Sequence, residues 1–379
     1  MQSTFFSNFR IMLICLSVML VSCNNSEPTI RDIDPKKDPD VEQPIENQPG
    51  IIRDITSMEL TSEMGTGWNL GNSFDVTEED KTAWGNPLPT KEMIELVRDM
   101  GFGTVRIPVT WFTHQDETDF QVRPEYMQRV KEMVNYTLKN KMFAIVNTHH
   151  EEDWIKLNDA EADEVQARLQ SLWTQIAMEF KDYGDSLIFE TLNEPRTKGS
   201  PNEWNGGTSA ERQLLNTYHK TCVDAIRATG GNNEKRHLMI SSYGASVTEA
   251  AMSDLVIPNN DPNIMISLHA YFPWAFAGEG NNRWGSNEDR AQLRAELDKV
   301  KNFWIDNANR AVIMGEWGAV NSNDLRIREQ YYEFYARACA ERGLVSVVWD
   351  DGGNFGLMNR DNNTWLAPSL PEIIVNAQK

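Results

Sequence analysis

The sequence predicts an α/β chain built as a single (β/α)8 TIM barrel, preceded by a lipoprotein signal and a flexible tether. Three observations carry that prediction. From residue 64 onward, short β-rich runs alternate with longer segments of helical period. Several of those runs are nearly unbroken apolar stretches, the pattern of strands buried on both faces. Ahead of them lie a short apolar run and a proline-punctuated stretch, neither of which can belong to a packed domain.

Taken in chain order, residues 1–22 read as an export signal. Arg10 supplies a positive charge, and Ile11 to Val21 is apolar but too short for a permanent spanning helix. The run ends in Leu20-Val21-Ser22-Cys23, which resembles a bacterial lipobox and implies cleavage before Cys23 and lipidation of its sulfur. An ordinary secretory signal with a chance cysteine is the alternative. An exported lipoprotein on the cell surface or outer membrane is therefore expected, with the lipid anchor as its sole membrane contact. Residues 23–50 form the lipidated tether, with Pro28, Pro35, Pro39, Pro44 and Pro49, several acids and no aromatics. Such a stretch buries too little apolar surface to offset its ordering entropy. The catalytic domain is expected to span residues 51–379.

Strands are predicted at Gly65–Leu70, Thr104–Val109, Met142–Thr148, Leu187–Leu192, His237–Ser242, Ile264–His269, Ala311–Glu316 and Val345–Trp349. Between them, Tyr126, Val130, Met133, Val134 and Leu138 recur at helical spacing, as do Val165, Leu169, Leu172, Trp173, Ile176 and Phe180. An open doubly wound sheet is the rival architecture. It would carry a Gly-rich phosphate turn after its first strand, and Gly65-Thr66-Gly67-Trp68-Asn69-Leu70 lacks that fingerprint's third glycine. Cys222 and Cys339 fall in helix-like segments, where buried free thiols are the plainer reading.

The 379 residues carry 36 basic against 56 acidic side chains, a formal charge of −20, which argues against a nucleic-acid partner. In a barrel of this kind chemistry sits at the C-terminal ends of the strands. Those ends hold Asn69, Asn72 and Asp75, then Arg106, His149-His150-Glu151, Asn193-Glu194, His269 with Tyr271, Glu316 and Trp349. A carboxylate at a buried strand end is costly unless paired or used. Glu194 and Glu316 close the fourth and seventh strands, on opposing sides of an eight-strand ring, and so should face one another across the mouth. Two such carboxylates can divide into an acid and a base or nucleophile. Arg106 and Tyr271 could keep Glu316 ionised, which lowers its pKa. A barrel-mouth salt-bridge network without chemistry is the bland alternative. A metal site is the other, since His149, His150, Glu151, Glu152 and Asp153 form a ligand-rich run. Adjacent histidines on a strand point to opposite faces, however, and no His-x-His pair is present, so no metal and no cofactor is expected.

The 12 tryptophans are unevenly spread. Trp173 and Trp304 fall on helices, whereas Trp68, Trp84, Trp111, Trp154, Trp204, Trp274, Trp284, Trp317, Trp349 and Trp365 fall in strands or the loops after them. Flat aromatic faces suit pyranose rings, and Trp84, Trp154, Trp204 and Trp274 are candidate sugar platforms. A sugar polymer in an open cleft fits this distribution.

At these residues the chain resembles glycoside hydrolase family 5, of clan A. The motifs occur in order: Gly67-Trp68-Asn69-Leu70-Gly71-Asn72, Val105-Arg106-Ile107-Pro108-Val109, Asn147-Thr148-His149-His150-Glu151, Leu192-Asn193-Glu194-Pro195, His269-Ala270-Tyr271, Gly315-Glu316-Trp317-Gly318 and Val348-Trp349-Asp350. The resemblance implies a retaining double displacement, with Glu194 as acid/base and Glu316 as nucleophile. It further implies that Arg106 and Tyr271 hold Glu316, that Asn193 meets a sugar 2-hydroxyl, and that His149 and His269 shape the −1 subsite. Trp349 would stack on the sugar there, and Asn72 and His150 would line the cleft. Thr82-Ala83-Trp84-Gly85-Asn86-Pro87 and Phe355-Gly356-Leu357-Met358-Asn359-Arg360 look most like the fourth subfamily, which implies an endo-β-1,4-glucanase acting on cellulose, mixed-linkage β-glucan or xyloglucan. An endo-β-1,4-mannanase and, in a different class, a non-catalytic surface glycan-binding protein remain alternatives. A monomer with a β-linked polysaccharide as its partner is expected. One departure stands out: Asp350-Asp351-Gly352-Gly353 follows Trp349 where many relatives carry Asn-Gly, which should add charge and flexibility beside the −1 subsite.

Overall fold

A computed structural model of the protein describes residues 50–377. The expected export signal, the expected lipidation at Cys23 and the expected tether up to residue 49 fall outside the described residues. Eight strands form the barrel: β1 (Gly67–Asn69), β2 (Thr104–Ile107), β3 (Phe143–Asn147), β4 (Leu187–Glu190), β5 (Leu238–Ser241), β6 (Ile264–His269), β7 (Val312–Trp317) and β8 (Val345–Val348). They are parallel and close in chain order, with β1 pairing β8, which rejects the open-sheet alternative. Each lies within one or two residues of its predicted limits.

The helices are α1 (Ser57–Glu63), α2 (Lys91–Met100), α3 (Pro124–Lys139), α4 (Ala162–Glu179), α5 (Ser209–Ala228), α6 (Glu249–Ser253), α7 (Trp274–Ala277), α8 (Asn287–Val300), α9 (Leu325–Ala340) and α10 (Ser369–Asn376). Several are punctuated by local chemistry. Thr56, Thr208 and Ser286 form capping boxes with Glu59, Glu211 and Asp289, and Gly101 ends α2 at φ 105°. Among the described residues no helix is long and apolar enough to cross a membrane. Cys222 and Cys339 are free and buried in α5 and α9.

Strand alternation divides the barrel interior into two levels. At the N-terminal end, Ile145, Ile188, Met239, Met265, Ile313 and Val347 pack together, and α1 lays Leu60 and Met64 against them as a floor. Two residues further along, the same alternation brings Arg106, Asn147, Glu190, Ser241 and Ser267 inward as a buried polar level. On β7 the register shifts beyond Met314, and His269 pairs Glu316 across a second irregularity after Leu268. That bulge turns Glu316 toward the mouth, whereas regular alternation from Ile313, three residues earlier, would place it on the opposite face. Gly315 permits it, because a Cβ there would stand 3.0 Å from His269 Nε2 and from Ser267 Oγ.

Candidate active site

Glu316, from the β7 bulge, accepts from Arg106 Nη1 at 2.9 Å on Oε1 and from the Tyr271 hydroxyl at 2.9 Å on Oε2. Glu194, in the loop after β4, bonds His269 Nδ1 through Oε1 at 2.7 Å, and Arg196 Nη1 stands 3.5 Å from Oε2. One oxygen of each carboxylate and a ring nitrogen of His269 lie within 4.8 Å of one another. The two carboxylates thus face each other over a narrow gap, with His269 touching both sides: its Nδ1 is 3.7 Å from Glu316 Oε2.

Arg106 is the centre of the buried polar level. Its Nε donates to Glu190, Nη1 to Asn69 Oδ1 as well as Glu316, and Nη2 to Asn193 Oδ1 at 2.6 Å. Asn147 fixes the neighbouring histidine. Its Oδ1 accepts from the Val109 amide, so its Nδ2 donates to Glu190 and to His149 Nδ1 at 3.1 Å. On the other side of the His149 ring, Nε2 lies 3.4 Å from Asn193 Nδ2 and 3.9 Å from Glu316 Oε1. Burial, reinforced by His150 and Arg106, pushes His149 well below its ordinary pKa and keeps it neutral. Burial and the Glu316 charge push Tyr271 well above its own, so the phenol stays a donor.

The carboxylates titrate differently from the sequence expectation. Burial raises Glu316 above the usual carboxylate range, outweighing the pull of His269 and Arg106, with the Glu194 charge adding to the rise. Arg106 pulls it downward, by charge and by hydrogen bond, from a guanidinium that also pairs with Glu190. For Glu194 burial acts upward too, but the bond to His269 and the charges of His269 and Arg196 hold it below its ordinary value. Burial alone would lower His269, yet the Glu316 charge and the bond to Glu194 raise it. The proton shared across the His269–Glu194 hydrogen bond thus rests on the imidazole in the unliganded site.

Glu190 was not singled out from sequence. It is a fully buried carboxylate closing β4, in Leu187-Ile188-Phe189-Glu190, and that alone is an uncommon residue in an otherwise apolar strand. Arg196 was missed as well. Its guanidinium bonds Glu152, Glu203 and the Glu194 carbonyl, and the Trp204 ring lies 4.4 Å from it. This network absorbs much of the ligand-rich run that suggested a metal. Glu152 pairs with Arg196 and Lys198, while Glu151 accepts from the Trp111 amide and the Trp154 indole. Burial lifts Glu151 to about 7. The His149 and His150 rings stand nearly perpendicular, although Asp75 and the two histidines do offer atoms within 4.8 Å of one another.

Asn72 lies on the rim at φ 49°, its amide donating to Asp75 and its carbonyl accepting from Asn86. Trp349 stands over Gly71 and parallel to His149, with ring centroids 5.9 Å apart and planes within 3°. Any side chain at residue 71 would collide with that indole, at 2.6 Å from its Cζ2. Trp204, Trp274 and Trp84 present open faces, at 58, 57 and 38% exposure. Trp84 neighbours His150 and Trp274 neighbours Tyr271. Trp154 departs from the expected platform role: Arg168 covers its ring at 4.2 Å and its indole N–H is tied to Glu151. Trp68, Trp111, Trp284 and Trp317 are core residues, so the open aromatic surface rests on fewer rings than their positions suggested.

The departure after Trp349 also differs from expectation. Asp350 is fully buried and accepts from the Trp68 indole and the Gly352 and Met358 amides, with Arg360 Nη2 3.6 Å away. Arg360 also binds the Gly71 and Asp350 carbonyls and Ser73 Oγ. The extra charge is neutralised and the segment is pinned to the β1 loop.

With that geometry in view, comparison with known proteins is direct. Residues 65–354 match the family model described as cellulase (glycosyl hydrolase family 5). Endoglucanase B of Clostridium cellulovorans is 43% identical over 86% of this chain and 76% of its own length. Endoglucanase A of Ruminococcus albus is 41% identical over 87% of this chain and 95% of its own. Among solved structures, ZgEngAGH5_4 in complex with a cellotriose superposes with a TM-score of 0.85 at 48% identity, over 86% of this chain and all of that one. A broad-specificity endoglucanase of the same subfamily, from Clostridium acetobutylicum, gives 0.83 at 42%, over 85% of this chain and 100% of its own. The closed eight-stranded barrel, the paired carboxylates at its mouth and the matching family model together make this chain a member of glycoside hydrolase family 5.

Proposed function

We propose that the protein is a retaining endo-β-1,4-glucanase that cleaves β-glucan backbones by double displacement. The closeness of Glu194 and Glu316 carries the reading: an oxygen of each lies within 4.8 Å of the other, which supports the close pairing of retaining enzymes, about 5 Å between carboxyl groups, over the wider one of inverting enzymes. Glu316 is the nucleophile, since Arg106 and Tyr271 fix both of its oxygens and aim it into the cleft. Its oxygen attacks the anomeric carbon while the glycosidic C–O bond breaks, and the departing oxygen takes a proton from Glu194. That proton reaches Glu194 from His269 along their 2.7 Å hydrogen bond as substrate displaces water and favours the neutral pair. Water then attacks the glycosyl ester, Glu194 takes its proton, and Glu316 leaves as carboxylate.

Trp349 is the −1 platform, and the exposed rings of Trp84, Trp204 and Trp274 are candidate platforms for further sugars of an internal chain segment. The cello-oligosaccharides named with similar structures support a β-1,4-glucan ligand. Those neighbours include a lichenase and a xyloglucan-specific enzyme of family 5, so enzymes of similar structure act on more than one backbone. The export signal and Cys23 support an exported, lipid-anchored form with a polysaccharide partner. Hydrolysis of carboxymethylcellulose, mixed-linkage β-glucan, xyloglucan, mannan and xylan, with NMR of the first-formed anomer, tests the reading. Release of β-anomers from glucan backbones is expected. Preferential cleavage of mannan, or first-formed α-anomers, would contradict it.

A further inference from the structure

We propose that Glu190 is a positioning residue that holds Arg106 in place and keeps it neutralised while Glu316 alternates between carboxylate and glycosyl ester. The inference rests on the reading of Glu316 as nucleophile and deepens it. Glu190 touches no part of the open cleft. It lies one level below, with no exposed surface, and forms with Arg106 an ion pair of 2.7 Å in which neither side chain is exposed. Its Oε2 accepts from Arg106 Nε and from Asn147 Nδ2 at 2.9 Å, and its Oε1 accepts from Ser267 Oγ. Through Arg106 it fixes the fork whose other arms hold Glu316 and Asn193. Through Asn147 it reaches the ring of His149.

The electrostatics of turnover explain why a second carboxylate is needed there. When Glu316 becomes an ester its charge vanishes. A buried guanidinium with Glu316 as its sole counter-ion would then be stranded in a site of low dielectric, which opposes the covalent step. With Glu190 in place Arg106 stays paired at every stage. The permanent pair also divides the guanidinium between two carboxylates, so Glu316 is oriented without being overstabilised as an anion. The other groups facing this pair are Glu194 and His149 at the mouth, His269 and Tyr271 from β6 and the loop after it, and His219 from α5.

Glu190→Gln removes the charge and keeps the geometry. The amide oxygen can accept from Arg106 and Asn147, and the amide nitrogen can donate to Ser267 Oγ, whose hydroxyl turns. The pH dependence of kcat/KM on a soluble β-glucan should then lose its acidic limb to lower pH by about one unit, because Arg106 acts undivided on Glu316. The basic limb should move less. The covalent step, followed as aryl-glycoside burst rate at neutral pH, should slow about tenfold. An acidic limb that stays in place or moves upward would overturn the proposal. So would a Glu190→Gln protein that cannot fold, since that outcome assigns Glu190 a purely structural part. Glu316→Ala with added azide separates this from failure of the underlying reading. If azide yields a glycosyl azide of inverted configuration while Glu190→Gln leaves the limb unmoved, only the role of Glu190 falls. If no such product forms, the nucleophile assignment falls instead.

Discussion

Asp and Glu side chains are abundant on this protein, yet the chemistry isolates a few of them by what they touch. Glu316 is bound by a cation and a phenol, and Glu194 by an imidazole, so their environments differ although the two are close together. The acid role proposed for Glu194 predicts a leaving-group signature. Glu194→Ala should lower turnover of polysaccharide by a factor of about 10² to 10⁴, because a sugar hydroxyl cannot leave without a proton. An aryl cellobioside with an acidic phenol should still give a rapid burst of phenol, followed by slow turnover that azide accelerates. Equal losses on both substrates would place the proton donor elsewhere. Trp349 and Gly71 show the same specificity of contact, since the indole occupies the space that any Cβ at residue 71 would need.

At the scale of elements, the strands supply the site and the helices hold the strands in register. His219 on α5 is the clearest clamp. Its Nε2–H donates to the Ser241 carbonyl of β5, and its Nδ1 accepts from Thr191 Oγ1 just past β4, each at 2.8 Å. Both ring nitrogens are used only while the imidazole is neutral, and burial lowers its pKa to about 4. His237 is lowered to about 4 in the same way, by burial at the start of β5. The folded pKa lies below the unfolded one, so nothing is lost above pH 6.5. Between about pH 6.5 and 4 the unfolded chain takes up a proton that the fold refuses, and stability declines as the pH falls, by about 1.4 kcal/mol per pH unit for each imidazole. Urea denaturation of His219→Gln, whose amide can serve both partners, should show a shallower decline over that window than the wild type. Parallel curves for the two proteins would contradict the clamp. The β7 bulge is the other decisive element, because without the register shift Glu316 would point into the helix shell.

For the whole molecule, the barrel separates stability from chemistry along its axis: an apolar floor closed by α1, a polar level around Arg106, and an aromatic-rimmed mouth. Much of this was legible in the sequence. Strand order, strand limits and the residues at the strand ends follow from periodicity, and the ordered motifs identify the family. What was not legible depends on contacts between distant segments. The Arg106–Glu190 pair joins residues 84 positions apart, and Asp350 reads as an added charge until Arg360 and the Trp68 indole are seen to neutralise it. The tryptophan pattern misled in part because a ring near the mouth can face either the cleft or the core, which only packing decides. The pKa order of Glu316 and Glu194 was likewise hidden, because it turns on the burial of the first and on the His269 and Arg196 that face the second. The central claim is that Glu316 forms the covalent bond to sugar, and trapping measures it most directly. Incubation with a 2-deoxy-2-fluoro-β-cellobioside bearing an activated leaving group, followed by peptide mass mapping, should place one fluoroglycosyl adduct on Glu316. An adduct on Glu194, or inactivation without any adduct, would contradict the account.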